Sequence, residues 1–178
     1  MKVALKDILG VSTELEYGEP VEQLNRTLES GESSEYQFEQ DLRVHIEFYR
    51  AELDLFFHGS FRGVAMATCA RCLGRFPLEL ANDFSLVLRP EMPFSGEIEL
   101  GAGDLSESFY SGTAVDLTPL VYEQVLLALP TRPLCDEECR GLCPQCGINR
   151  NTGQCACAVE TGDPRLAVLR TLKIDRGV

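Results

Sequence analysis

Tryptophan is missing from this 178-residue chain, histidine occurs twice and methionine three times. The two histidines, His45 and His58, lie thirteen residues apart inside strand-like patterns. They lack the spacing of a metal-hydrolase pair, and each reads as an ordinary strand residue. No run approaches ~18 apolar residues, so no membrane-spanning segment is expected. The opening stretch MKVALKDILGVSTELEYG holds neither the apolar core nor the small-residue cleavage site of a secretory leader. A soluble cytoplasmic protein is the expectation. Phosphate-cradling and nucleophile-elbow motifs of the forms G-x-x-x-x-G-K, G-x-G-x-x-G and G-x-S-x-G are absent. Carboxylates are plentiful, but they lie in polar runs rather than in apolar settings that shift a pKa. No enzyme is expected, and a nuclease or RNA-modifying activity would lack both a nucleophile and an open metal site.

Basic residues are also scarce: 16 Lys and Arg face 28 Asp and Glu, giving a net charge of −12. The excess is concentrated. Residues 12–41 hold nine acids and the single base Arg26, and residues 91–123 hold seven acids and no base. Such a field repels phosphate backbones and favours basic partners. Local exceptions are Arg62, Arg71, Arg75 and Arg89 in the middle of the chain and Arg165, Arg170, Lys173 and Arg176 near its end. Nucleic acid would have to be met there.

The length suits one domain with a small appendage, large enough to bury a core without disulfides. Residues 1–41 read as an acidic, partly flexible entry segment, loosely ordered or contributing an edge strand. From Leu42 the pattern alternates, with Leu42, Val44, Ile46 and Phe48 on one face. A hairpin is predicted at His58-Gly59-Ser60, and a reversal at Leu73-Gly74-Arg75 after CARC. FPLELANDFSLVLRP continues as strand, residues 93–108 as an acidic Gly-rich loop, and FYSGTAVDL as one more short strand. A buried helix follows, with Thr118 as N-cap, Pro119 in its first turn and Pro130 as its stop. A second helix begins at Asp163-Pro164. The expected fold is α+β: an antiparallel meander or partly closed barrel followed by two helices. Its divisions are a mainly β domain (1–130), a cysteine-rich zinc-binding segment (131–162) and a C-terminal helix (163–178) between which no repeat is visible.

What the chain does have is cysteine. Six of its eight lie in CDEECRGLCPQCGINRNTGQCAC, Cys135 to Cys157, and the other two are Cys69 and Cys72 of CARC. In a reducing compartment, closely spaced thiols are metal ligands or redox centres before they are disulfides. CPQCG has the form of a zinc knuckle, with Gly147 permitting the tight turn that points backbone N–H groups at the sulfurs. Cys143, Cys146, Cys155 and Cys157 can therefore enclose one tetrahedral zinc. Cys69, Cys72, Cys135 and Cys139 form two half-sites that together would make a second one, pinning the cysteine segment to the sheet. The competing partition builds one site from Cys135, Cys139, Cys143 and Cys146. Arg71, Arg140 and Arg150 stand near enough in sequence to offset the charge of such clusters. A four-cysteine site has no open coordination position and is structural.

The ordered landmarks CARC with Leu73, VDLTPLVYEQVLLALPTRPLC, CDEECRGLCPQCGINRN, CAC and DPRLAVLRTLK resemble the bacterial YceD family, described as large ribosomal RNA subunit accumulation proteins and found also in plastids. The resemblance spans roughly Val64 to Lys173. It implies a non-enzymatic role in 23S ribosomal RNA accumulation and large-subunit assembly. The implied partners are that RNA or a pre-ribosomal particle, and a small basic large-subunit ribosomal protein whose gene often lies beside those of family members. Some relatives lack most of the cysteines after CARC, which implies that the metal sites support the fold. The alternative function, from a different class, is a redox-sensitive zinc-thiolate chaperone or switch that releases metal on oxidation.

Overall fold

The computed structural model describes residues 1–31, 35–91 and 108–157. In chain order the elements are β1 (Lys2–Ala4), a 3-10 turn (Leu5–Asp7), β2 (Thr13–Glu19), α1 (Glu22–Ser30), β3 (Tyr36–Phe38), β4 (Leu42–Ala51), β5 (Asp54–Thr68), β6 (Arg75–Pro90), β7 (Ser108–Tyr110), β8 (Ala114–Asp116) and α2 (Leu117–Ala128). A six-stranded sheet runs β2-β4-β5-β6-β7, with β3 also paired to β5, and β1 and β8 form a separate ribbon. All pairings are antiparallel except β6 with β7. The class is thus α+β on a mixed sheet, and among the described residues the strand order stays open, from β2 to β7, instead of closing as a barrel.

The alternation read from Leu42 onward is what makes the sheet one-sided. Leu42, Val44, Ile46 and Phe48 are buried, while Arg43 and His45 between them are exposed. Phe57 and Phe61 of β5 and Leu80, Phe84 and Leu88 of β6 continue the inner face. Leu24 and Leu28 of α1 and Leu117, Val121 and Val125 of α2 close it over. β3 and β4 share one edge of β5. Between the pairs Phe38↔Ala65 and Arg43↔Arg62 the first side advances five residues and the second three, so two extra residues bulge out around Glu39–Asp41.

Several expectations are corrected. The predicted hairpin at His58-Gly59-Ser60 is the middle of β5; the chain reverses instead at Glu52-Leu53, with Glu52 at φ 56 and Ala51 paired to Asp54. Gly59 serves packing: a Cβ there would sit 2.4 Å from the Phe84 ring, which lies over it. Of the two readings of the acidic entry segment, the edge strand is found: β2 lies at the edge of the six-stranded sheet. The segment contributes β2, α1 and β3, so a helix that was not expected precedes the long strands, in addition to α2 after them. α1 is anchored by Asn25, whose amide donates to Phe38 O at 2.8 Å and accepts from Phe38 N at 2.9 Å. FYSGTAVDL supplies two short strands, β7 and β8, in different sheets. The N-cap of α2 is Asp116, whose carboxylate accepts from Thr118 N at 3.2 Å, leaving Thr118 inside the helix. The C-terminal helix expected at 163–178 and the acidic loop at 93–107 lie outside the described residues.

Candidate metal centres

CARC forms the tip of the β5–β6 hairpin. Cys69 N donates to Gly74 O and Leu73 N to Cys69 O, both at 2.9 Å, and Leu73 takes φ 57 to complete the reversal at the expected place. The chain leaving α2 returns to this tip. Tyr36 hydroxyl donates to Pro130 O, and Ala70 N to Pro133 O at 2.8 Å. Arg71 is the strut of the junction: its guanidinium donates to Glu137 O at 2.8 Å and Cys139 O at 3.1 Å, and its own carbonyl accepts from Leu142 N at 3.1 Å. Gly141, at φ 68, lets the arm approach so closely that a Cβ would stand 2.9 Å from Arg71 O. Arg71 therefore works through hydrogen bonds to backbone, a role its charge alone does not suggest.

This docking gathers the sulfurs of Cys69, Cys72, Cys135 and Cys139 within 4.8 Å of one another. Cys69 and Cys139 sulfurs are 3.8 Å apart and those of Cys72 and Cys135 are 3.7 Å apart. A tetrahedron with metal–sulfur bonds of ~2.3 Å has an edge of about 3.8 Å, whereas a disulfide would bring sulfurs to ~2.05 Å. The spacing fits four ligands around one ion. Cys69, Cys72 and Cys139 are buried and Cys135 is exposed. Arg71 N points at Cys69 Sγ (3.4 Å), and Asn151 Nδ2 donates to Cys139 Sγ (3.2 Å).

The second group, Cys143, Cys146, Cys155 and Cys157, likewise lies within 4.8 Å. Its knuckle is closed by Gly147 N to Cys143 O (2.9 Å) and Cys143 N to Ile148 O (2.8 Å), with Gly147 at φ 73. Asn149 shapes the return: its side chain accepts from Asn151 N at 2.9 Å and its carbonyl from Gly153 N at 2.9 Å. Arg140 and Arg150 line a groove beside Cys143, Cys155 and Cys157. Here Cys146 and Cys155 are exposed. All eight sequence-selected cysteines thus fall into two tetrads, with Cys135 and Cys139 joined to Cys69 and Cys72 and not to Cys143 and Cys146.

Thiol acidities diverge inside each tetrad. At Cys69 burial opposes ionisation, but the amides of Cys135, Cys72 and Arg71 outweigh it and bring the thiol to about 6. The amides of Cys146 and Gln145 hold Cys143 at about 6. The Asn151 amide lowers Cys139. Once one sulfur is charged its neighbours resist: Cys135, through desolvation and then the thiols of Cys69 and Cys139, and Cys157, through Cys146 and then desolvation, are both pushed up to about 12. A divalent cation removes that conflict, because it stabilises all four thiolates together. His45 and His58 belong to neither group. They stand on the outer sheet face, where His58 Nδ1 and Ser85 Oγ are 3.0 Å apart. Asn151 is the ligand-supporting residue the sequence reading missed; only its place between the cysteine pairs hinted at it.

Fold and sites together define an α+β domain whose hairpin tip and cysteine arm carry two four-thiol groups able to hold a metal. Residues 57–173 match the family model described as large ribosomal RNA subunit accumulation protein YceD. The chain belongs to the YceD family. Among curated relatives, uncharacterized proteins of Mycobacterium bovis and of two strains of Mycobacterium tuberculosis are 31% identical over 94 residues, which is 51% of this chain and 42% of each relative. The chain thus aligns with under half the length of these relatives. No solved structure matches. Among the described residues no helix is long and apolar enough to cross a membrane.

Proposed function

We propose that this protein is a non-enzymatic, cytoplasmic ribosome-biogenesis factor that supports accumulation of 23S ribosomal RNA and assembly of the large subunit. The observation that carries the reading is membership of a family described by large ribosomal RNA subunit accumulation. Charge supports the choice of partner: at −12 the protein is suited to hold a small basic ribosomal protein more tightly than bare RNA, with RNA touched only at local arginines. Both cysteine tetrads hold zinc in this reading. Four soft thiols at tetrahedral spacing suit that ion, and a closed four-sulfur shell leaves no position for substrate or activated water. Zinc then supplies cross-linking alone: Cys69 and Cys72 anchor it at the hairpin tip, and Cys135 and Cys139 bring the arm to it. The mainly β part (1–130) is the working domain, and the cysteine segment (131–162) buttresses it. The test is deletion of the gene followed by ribosome profiling on sucrose gradients. Loss of large subunits and of mature 23S RNA is expected; normal levels of both would overturn the proposal.

A further inference from the structure

We infer that the outward face of the sheet carries a phosphate-binding site built from Arg43 and Arg62, and that its ligand is a phosphodiester of the RNA backbone. The inference rests on the reading above and says where RNA is touched. Of the four mid-chain arginines available for such a role, three are already engaged: Arg71 on the carbonyls of Glu137 and Cys139, Arg75 on Gln37 Oε1 at 3.0 Å, and Arg89 with Asp54 at 3.6 Å. Arg62 is not. It stands directly opposite Arg43 across the β4–β5 pairing, and both are exposed. Among the described residues neither forms a hydrogen bond or an ion pair, although Asp41 and Glu79 line the same groove.

Two like charges directly opposite on adjacent strands destabilise a sheet, and the usual remedies are a carboxylate between them or a neutral partner. Here the cross-strand partner is another arginine, and Asp41 and Glu79 line the groove without forming an ion pair with either guanidinium among the described residues. Instead the row across the sheet reads Gly18, Arg43, Arg62, Ala81, so that the two guanidiniums are flanked by the smallest side chains on both sides. Two exposed guanidiniums carried at opposite register positions and lining one groove suit an anion that accepts from both at once, as a phosphodiester does. Asp41 and Glu79 balance the pair overall, so the site exerts little long-range pull on a polyanion. It holds a phosphate delivered to it, which is the behaviour wanted of one contact within a larger assembly.

The experiment uses the full metal-loaded chain labelled with 15N, titrated with inorganic phosphate and with a six-nucleotide single-stranded RNA against matched chloride. Shifts centred on the Arg43 and Arg62 amide and guanidinium resonances are expected with both probes. In Arg43→Ala/Arg62→Ala the RNA affinity falls at least tenfold, and the magnitude of the slope of log K against log salt falls by about 0.7, for the one phosphate whose counterions are no longer displaced. Shifts no larger than those with chloride, or an unchanged salt slope in the double variant, overturn the site. If phosphate titrates the pair and RNA does not, the RNA assignment falls. Complementation separates the two failures: a deletion strain rescued fully by the double variant refutes the site and leaves the functional reading standing, whereas a deletion without a ribosome defect refutes the reading.

Discussion

Replacing Cys72 by Ser tests whether the first tetrad is a cross-link between distant parts of the chain. The Cys72–Cys135 contact spans 63 residues. Closing a loop of that length removes denatured-state entropy worth about 4 kcal/mol at 25 °C, if a metal clip acts as a disulfide does. A chain of this size shifts by about 2–4 °C per kcal/mol, so the variant should melt about 8–16 °C lower. The matching Cys146→Ser change opens only the nine-residue step to Cys155, worth about 2.6 kcal/mol and confined to the arm, so the sheet should melt nearly as in the parent. The assay is differential scanning calorimetry alongside elemental analysis: two zinc per parent chain, one in each variant, and a large fall in melting temperature only for Cys72→Ser. A Cys72→Ser protein that keeps two metal ions and melts with the parent would refute the reasoning. Full metal retention in Cys72→Ser but loss in Cys139→Ser would favour instead a site made from Cys135, Cys139, Cys143 and Cys146.

Asn151→Ala removes the amide donor to Cys139 Sγ. It should lower metal affinity at the first tetrad by 10–100-fold in chelator competition while leaving the stoichiometry at saturation unchanged; equal chelator sensitivity would show the contact to be idle. Binding of zinc to metal-free protein near pH 7.5 must strip protons from the thiols held up at about 12, Cys135 and Cys157. Because their acidity is weakened, affinity rises with pH, and the heat of binding should differ between buffers of different ionisation enthalpy. Identical heats would contradict this. Gly59→Ala drives a methyl to 2.4 Å from the Phe84 ring and should destabilise by about 1–3 kcal/mol in urea titration, and Phe84→Leu in the same chain should recover part of it.

The sheet was legible because its signal is local. Alternation from Leu42 and the run ending at Pro90 mark β4 and β6 directly, and CARC-Leu-Gly reverses the chain as its residues suggest. Errors arose where one residue type serves two purposes. Gly59 imitates a turn but clears room for an aromatic ring, while the real turn, Glu52-Leu53, has no glycine to announce it. α1 was missed because only Val21, Leu24 and Leu28 are apolar in a polar stretch; its order comes from the Asn25 bridge to β3 and from burial, neither of which a local pattern carries. Cysteine spacing suggested the half-sites. Their pairing depends on where α2 releases the arm relative to the hairpin tip, a tertiary distance the spacing does not contain. Arg71 shows the same limit: its charge was readable and its carbonyl partners were not.

In the proposed reading, electrostatics give the sheet and the cysteine arm different tasks. Each zinc bound by four thiolates would add −2; in residues 131–157 Asp136, Glu137 and Glu138 are matched by Arg132, Arg140 and Arg150, so the whole of the arm's negative charge would come from the two loaded tetrads. Arg140 and Arg150 beside the second tetrad can at most cancel its charge. In the proposed reading, RNA would gain little by approaching a metal-loaded arm. The arm's consequence for function is positional. The arm docks on the β5–β6 hairpin tip, and Arg62 stands six residues from Thr68 at the end of β5, so in the proposed reading loosening the tip would loosen the strand that carries Arg62. Metal loss should accordingly weaken phosphate binding at a site that contains no cysteine.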